Sequence, residues 1–237
     1  MFKYKNLTII GTSHIAEGSI KEIEGIFLRE SPDIIAVELD RDRLFGLLSG
    51  NKPSYSPKLI PQLGLKGYLF AVIGSIIQQK LGDVVGIKPG SDMLHAVHLA
   101  QKNSKKIALI DRDVRVTLAR LSKSITWKDR WHFLVDIFSA PFAEKMKINL
   151  REVPERELIK KLLRLLKKRY PGVHRALVEE RNHFMALKLH ALMLNYPDQK
   201  IMAVMGAGHE EEMLALVKKA FGQEQPAAKR NLYKEKN

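Results

Sequence analysis

The chain has no cysteine, which removes disulfides, thiolate metal ligation and cysteine nucleophiles from the chemistry it can carry. That absence fits a cytosolic or a thermophilic origin without establishing either. A membrane-length apolar run is also missing. The most apolar stretch, Leu63–Leu81, has only the thirteen residues Gly67–Gln79 between Lys66 and Lys80, two of them glycine. A bilayer crossing needs about 20. We read this stretch as a buried helix or a homodimer surface, with interfacial membrane contact as the lesser alternative. The first ten residues enter a strand directly, without a charged and then apolar leader, so no secretory signal is expected and the chain is assigned to the cytoplasm. Acidic residues are outnumbered, 26 against 40 Lys and Arg, leaving a formal charge of +14. The excess is uneven: Lys145–Arg175 holds eleven Lys/Arg against three Glu, a net of +8. Such a block is either a solvated helix face or an attractor for phosphates, anionic lipid or an acidic partner.

With 237 residues the chain can hold one large α/β domain, or a domain with a helical insertion. Four short apolar runs read as strands covered on both faces: Leu7–Ile10, Ile34–Leu39, Ile107–Ile110 and Ile201–Met205. Between the first two, Ser19-Ile20-Lys21-Glu22 is a capping-box pattern opening a helix that stops before Ser31-Pro32. A strand, a helix and a strand within some thirty residues form a βαβ unit, so these strands should run parallel. Asp40 should cap a short helix, Arg41–Leu48. Ser49–Pro61, with three prolines, should be a loop. Further helices are expected from Pro89-Gly90-Ser91 to Gln101, from Asp113 onward, over Glu155–Tyr170 with leucines on one side, from about Val173 to Leu194, and over Glu211–Phe221. The expected architecture is an α/β fold with a mostly parallel sheet and helices on both faces. A single domain would cover 1–221, a basic helical insertion about 113–195, and a disordered tail 222–237.

Polar chemistry gathers where the strands end. The word Gly-x-x-His occurs twice, as Gly11-Thr12-Ser13-His14 behind the first strand and as Gly206-Ala207-Gly208-His209 behind the last. The second strand delivers Glu38, Asp40 and Arg41; the third delivers Asp111, Arg112 and Asp113. In parallel sheets these groups meet along one edge, where ligands bind. Charged groups beside buried strands are costly unless paired or liganded. Two imidazoles from distant parts of the chain suggest a shared metal. A lone histidine there would more simply be a capping residue, and the Asp111–Asp113 cluster could satisfy itself. Asp92, His95 and His98 share a helix but read as half-exposed polar positions, apart from Asp92 in the first turn. Asn182, beside Arg181 in mid-helix, is unfavourable enough to want a reason.

Together these segments resemble the TraB/PrgY family, which is related to the Tiki proteases and more distantly to erythromycin esterase and ChaN-like proteins. The resemblance spans about residues 5–221. It rests on Gly11–His14, Val37–Arg43, Pro89–Met93, Ile110–Asp113 with Thr117–Arg120, Glu180–Asn182 with Met185-Ala186, and Gly206–His209. For the Tiki branch it implies metal-dependent peptide hydrolysis by two Gly-x-x-His histidines and a glutamate, here His14, His209 and Glu38. For the PrgY branch it implies shutdown of a peptide pheromone. Plant relatives act as organelle tethers, so the fold also serves binding alone. Two departures stand out. Asp92 occupies a position more often held by glutamate, and Glu210-Glu211-Glu212 follows His209 where glycine is common. Many relatives continue into C-terminal transmembrane helices, which this sequence does not include.

The expected function is therefore hydrolysis of a peptide or a related amide or ester by a divalent ion, with Mn, Co and Zn all suited to histidine and carboxylate donors. His14, Glu38 and His209 are the expected ligands. Asp111 or Asp92 is the expected further ligand or general base, and Arg112 or Arg181 the oxyanion partner. Asn182 would orient a ligand or the substrate, with Thr12, Ser13, Arg41 and Asp92 on the substrate side. The competing expectation is a non-catalytic module that captures a peptide or tethers a membrane protein, with membrane-surface contact through the basic helix. Nucleic acid ranks lowest, because that helix lacks interleaved aromatics and its binding would be non-specific and salt-sensitive.

Overall fold

The computed structural model describes residues 1–12, 17–50, 61, 90–129, 131–132, 155–207 and 209–234. Its elements are β1 (Phe2–Tyr4), β2 (Leu7–Thr12), α1 (Glu17–Glu30), β3 (Ile34–Val37), α2 (Arg41–Ser49), α3 (Ser91–Lys102), β4 (Lys106–Leu109), α4 (Val114–Ser124), α5 (Glu155–Arg169), α6 (Pro171–His174), a π-helical turn (Arg175–Glu179), α7 (Glu180–Asn195), β5 (Ile201–Gly206) and α8 (Glu210–Lys234). The expected loop at 51–60 and the apolar helix over Leu63–Leu81 lie outside the described residues. Among the described residues no helix is long and apolar enough to cross a membrane.

The chain divides into two compact units, one of residues 1–50, 87–112 and 182–237, the other of residues 51–86 and 113–181. The first unit is built on a sheet of order β1-β2-β5-β3-β4, a mostly parallel α/β arrangement. β2, β3, β4 and β5 are parallel, and β1 pairs antiparallel with β2. The first βαβ unit is parallel as its sequence requires, but its strands do not touch: β5 lies between them. The edge strand β1 was not anticipated. Three residues give too little alternation to stand out against the following polar turn.

Side chains alternate between the two faces of the sheet. Leu7, Ile9, Ile34, Ala36, Ile201, Ala203 and Met205 pack with Met185, Leu189 and Met193 of α7 and Met213 and Val217 of α8. Ile10, Ile35, Val37, Met202 and Val204 pack with Ile23, Ile26 and Phe27 of α1 and Met93, Ala96 and Val97 of α3. A strand buried on both sides can carry an unbroken apolar sequence, which is why Ile201–Met205 contains no polar residue.

The second unit has its own small core, Leu118 and Leu121 of α4 with Ala176 of the π-helical turn. The helical insertion expected over about 113–195 is shorter in the first unit's terms, because Asn182–Asn195 belongs to the sheet core. Met185, Leu189 and Met193 fall at i, i+4, i+8 spacing, with Ala186 beside them, and need an apolar face to cover. The last helix also continues to Lys234, past Gly222, where the sequence places the start of a tail.

A carboxylate-rich strand edge as candidate functional site

The position of β5 decides what meets at the carboxyl end of the sheet. Its register against β2 sets Gly11 opposite Met205 and Thr12 opposite Gly206. The two glycine words thus leave from neighbouring strands at the same height. The amide of Ala207 also donates to the carbonyl of Thr12, extending the pairing one step beyond the strands. Ser13 and His14 lie outside the described residues. His209 sits just before α8, half-buried, and its Nδ1 is buried without a hydrogen-bond partner.

Glu38 follows β3 on the other side of β5. Its carboxylate is buried and accepts the amide of Gly206 at 2.8 Å, while its own amide donates to the carbonyl of Val204 at 3.1 Å. One glutamate therefore ties the end of β3 to the glycine that starts the last loop. Asp40, two residues on, caps α2 by accepting the amide of Arg43 at 2.9 Å. Burial pushes its carboxyl above the ordinary value of 3.8, against the lowering influence of the Arg43 amide and guanidinium. Arg41 lies at the exposed start of α2.

After β4, Asp111 and Arg112 are both buried. Asp111 accepts the Arg112 amide at 2.7 Å and pairs with Arg43 Nη1 at 3.2 Å. Arg43 also reaches the carbonyl of Glu38 at 3.5 Å, so it bridges the β3 and β4 ends. Asp92, in the first turn of α3 and only 2% exposed, meets the hydroxyl of Thr12, which lies within 3.1 Å of the Met205 carbonyl as well. Gly90, at φ +86°, provides the left-handed turn that starts this helix.

Two further carboxylates arrive on α8. Glu210 is buried against Gly11, and a Cβ at residue 11 would overlap its carboxylate. The first glycine word is thus glycine at this point because the second word's helix occupies the space. A glutamate in the first turn is also favoured by the helix dipole. Glu212 accepts Asn182 Nδ2 at 2.8 Å; Asn182 is 0% exposed, and its Oδ1 is buried with no partner.

The structure thus brings together Thr12, Glu38, Asp92, Asp111, Arg112, Asn182 and His209 in one unit at the strand-end side. Arg181 belongs to the second unit, where its guanidinium donates to the Leu177 carbonyl at 3.3 Å. Arg43 and Glu210 were not singled out from sequence. The signal for Arg43 was present in the run Asp40-Arg41-Asp42-Arg43: with Asp40 as cap, residue 43 falls in the first turn of the helix and points back toward the sheet. Nothing local marks Glu210, because the demand comes from Gly11 across the sheet. Among the described residues no group of three His, Asp or Glu side chains forms a metal-sized cluster.

A model of the TraB/PrgY/gumN family matches residues 3–220. The chain belongs to that family. Among similar proteins, an uncharacterized protein of Methanocaldococcus jannaschii is 34% identical over 219 residues, covering 90% of this chain and 54% of that protein. TraB domain-containing proteins of Mus musculus and Homo sapiens are 24% and 23% identical over 198 residues, 76% of this chain and 51% of each. The chain spans about half the length of the curated relatives it matches.

Proposed function

We propose that this TraB-family chain hydrolyses a peptide, or a related amide or ester, with a divalent cation held by His14, Glu38 and His209. The observation that carries the reading is His209 Nδ1, a buried nitrogen with no hydrogen bond, three residues beyond the glycine whose amide holds Glu38. An imidazole nitrogen kept from water and given no protein partner suits a metal donor. His14 follows Thr12 by two residues, and Thr12 pairs with Gly206. His14 itself lies outside the described residues. Several buried carboxylates at one edge add to the fit, since each needs positive charge, donors or a proton.

A bound Mn, Co or Zn ion would supply Lewis acidity and a water with its pKa lowered toward about 7. The chain's own groups would do the rest. Glu38 is held by the Gly206 amide, which fixes where its carboxylate lies. Asp111 or Asp92 would hold the proton leaving the attacking water. Arg112, buried beside Asp111, would face the developing oxyanion. Asn182, held by Glu212, would offer Oδ1 to a donor on the substrate or on a ligand. Thr12, Ser13 and Arg41 would line the substrate side.

The test is metal content and peptide cleavage of the purified chain, supplied in turn with Mn, Co and Zn, beside His209→Ala. Expected is uptake of one ion per chain and cleavage abolished by chelation and by the substitution. The competing reading is capture of a peptide without hydrolysis. It predicts peptide binding that His209→Ala leaves intact, with no uptake and no cleavage; that outcome overturns the hydrolase.

A further inference from the structure

The second unit carries both tryptophans of the chain and its most basic helix, and the proposed hydrolase chemistry uses neither. Trp127 and Trp131 are 81% and 67% exposed, an unusual placement for a side chain of this size. Thr126 and Asp129 form a reciprocal cap that starts a helical turn at Trp127, with the hydroxyl and amide of Thr126 each 2.7 Å from the Asp129 carboxylate. A spacing of four puts the two indoles on one side of that turn.

The next residue ties this turn to the basic helix. His132 Nδ1 lies 2.7 Å from the carbonyl of Arg169, the last residue of α5, and its ring meets Tyr170 edge-on at 6.4 Å. From Lys160 to Arg169 the helix carries six Lys/Arg and no acid. Lys167 has an ion pair, to Glu179 at 3.4 Å. Among the described residues of α5 none is buried: Leu163 and Leu166 are half-buried and Leu165 is exposed. An amphipathic helix leaving its leucines partly open and Lys161, Arg164, Lys167 and Lys168 exposed, beside two exposed indoles, matches the composition of a surface lying in a headgroup layer.

We propose that this face of the second unit binds an anionic bilayer surface peripherally. Trp127 and Trp131 enter the interfacial layer, Leu163, Leu165 and Leu166 contact the acyl boundary, and the cations of Lys160–Arg169 meet anionic headgroups. A nucleic acid would also attract the cations, but it gives the leucines no apolar counterpart. The proposal stands independently of the hydrolase reading.

The experiment uses the full chain with vesicles of phosphatidylcholine alone and of phosphatidylcholine mixed with phosphatidylserine. Binding is read by co-sedimentation and by tryptophan emission, which reports only on Trp127 and Trp131. Expected is co-sedimentation with a blue-shifted emission on the anionic vesicles only, declining as salt is raised. Lys161→Gln with Lys168→Gln removes two exposed charges and should weaken partition about 25-fold, at roughly fivefold per cation. Trp127→Ala should weaken sedimentation while leaving Trp131 as reporter. All three positions are exposed, and a thermal melt matching the wild type verifies that each variant is folded. Equal binding to both vesicle types, no binding to either, binding unchanged in both variants, or retention by an oligonucleotide in preference to anionic vesicles overturns the proposal.

Discussion

Two substitutions at Glu38 separate a structural role of its carboxylate from a chemical one. The carboxylate is buried and accepts the Gly206 amide at 2.8 Å. A hydrogen bond to a charged acceptor contributes about 1.5–3 kcal/mol, and a buried amide left without an acceptor costs a similar amount. Glu38→Ala removes the acceptor but also relieves the desolvation of a buried charge, so the expected net loss is about 2 kcal/mol. For a chain of this size that is about 4–8 °C in melting temperature. Glu38→Gln keeps an oxygen in place for Gly206 and should stay within about 1 kcal/mol of the wild type, or about 4 °C. An amide is a far poorer cation ligand than a carboxylate, so the same variant should lose divalent-dependent hydrolysis. Thermal unfolding and a peptide-cleavage assay on the two variants give four numbers. Glu38→Ala melting with the wild type would refute the clamp on Gly206. Glu38→Gln cleaving at the wild-type rate would refute a ligand role for Glu38.

Gly11→Ala sets a Cβ against the Glu210 carboxylate, the far end of a flexible side chain that can turn aside, so the loss should stay at about 1 kcal/mol or less; a loss above about 3 kcal/mol in thermal unfolding would refute that freedom. Asp40 has a folded pKa raised above 3.8 by burial, so the protonated form is the one folding favours. Its contribution is fully present below the unfolded value and is lost as pH rises through the folded one. Asp40→Asn keeps a capping oxygen and should therefore be more stable than the wild type at neutral pH, the advantage vanishing below pH ~3.8; pH-dependent denaturant unfolding checks the sign. Asn182→Ala should cost about 1.5–3 kcal/mol by removing the donor to Glu212. Asn182→Asp, which sets two carboxylates together, should be worse at neutral pH and approach the alanine variant in acid, read by thermal melts across pH.

The three inner strands, β2, β3 and β5, were legible because each is an apolar run of residues buried on both faces, which local sequence records directly; β4, a half-buried edge strand, was legible from its short apolar run Ile107–Ile110 alone. The caps at Asp40 and Asp113 were legible for a similar reason: each side chain serves an amide two or three residues away. What joined these pieces was not local. No residue of Ile201–Gly206 announces that the strand will pair with both β2 and β3; the slot it fills is made by strands far away in the sequence. Thr12 with Asp92, Arg43 with Asp111 and Glu38 with Gly206 are 80, 68 and 168 positions apart, so their pairing follows from that slot. The convergence of polar groups on one edge could be expected from parallel strands, but not which acid would meet which donor. That α7 covers the sheet was not legible for the same reason, since it looks like a continuation of the helices before it until Met185 and Leu189 are seen against the sheet.

The middle strand of the sheet is also the one synthesised after all the others. Until residue 206 has left the ribosome, β2 and β3 each expose a row of unsatisfied amides and carbonyls with no neighbour between them. The nascent first unit is therefore a template waiting for its final segment, open to capture by any extended peptide that reaches it first. Folding should commit late and in one step, and a C-terminal truncation before Ile201 should yield not a weakened protein but an aggregating one.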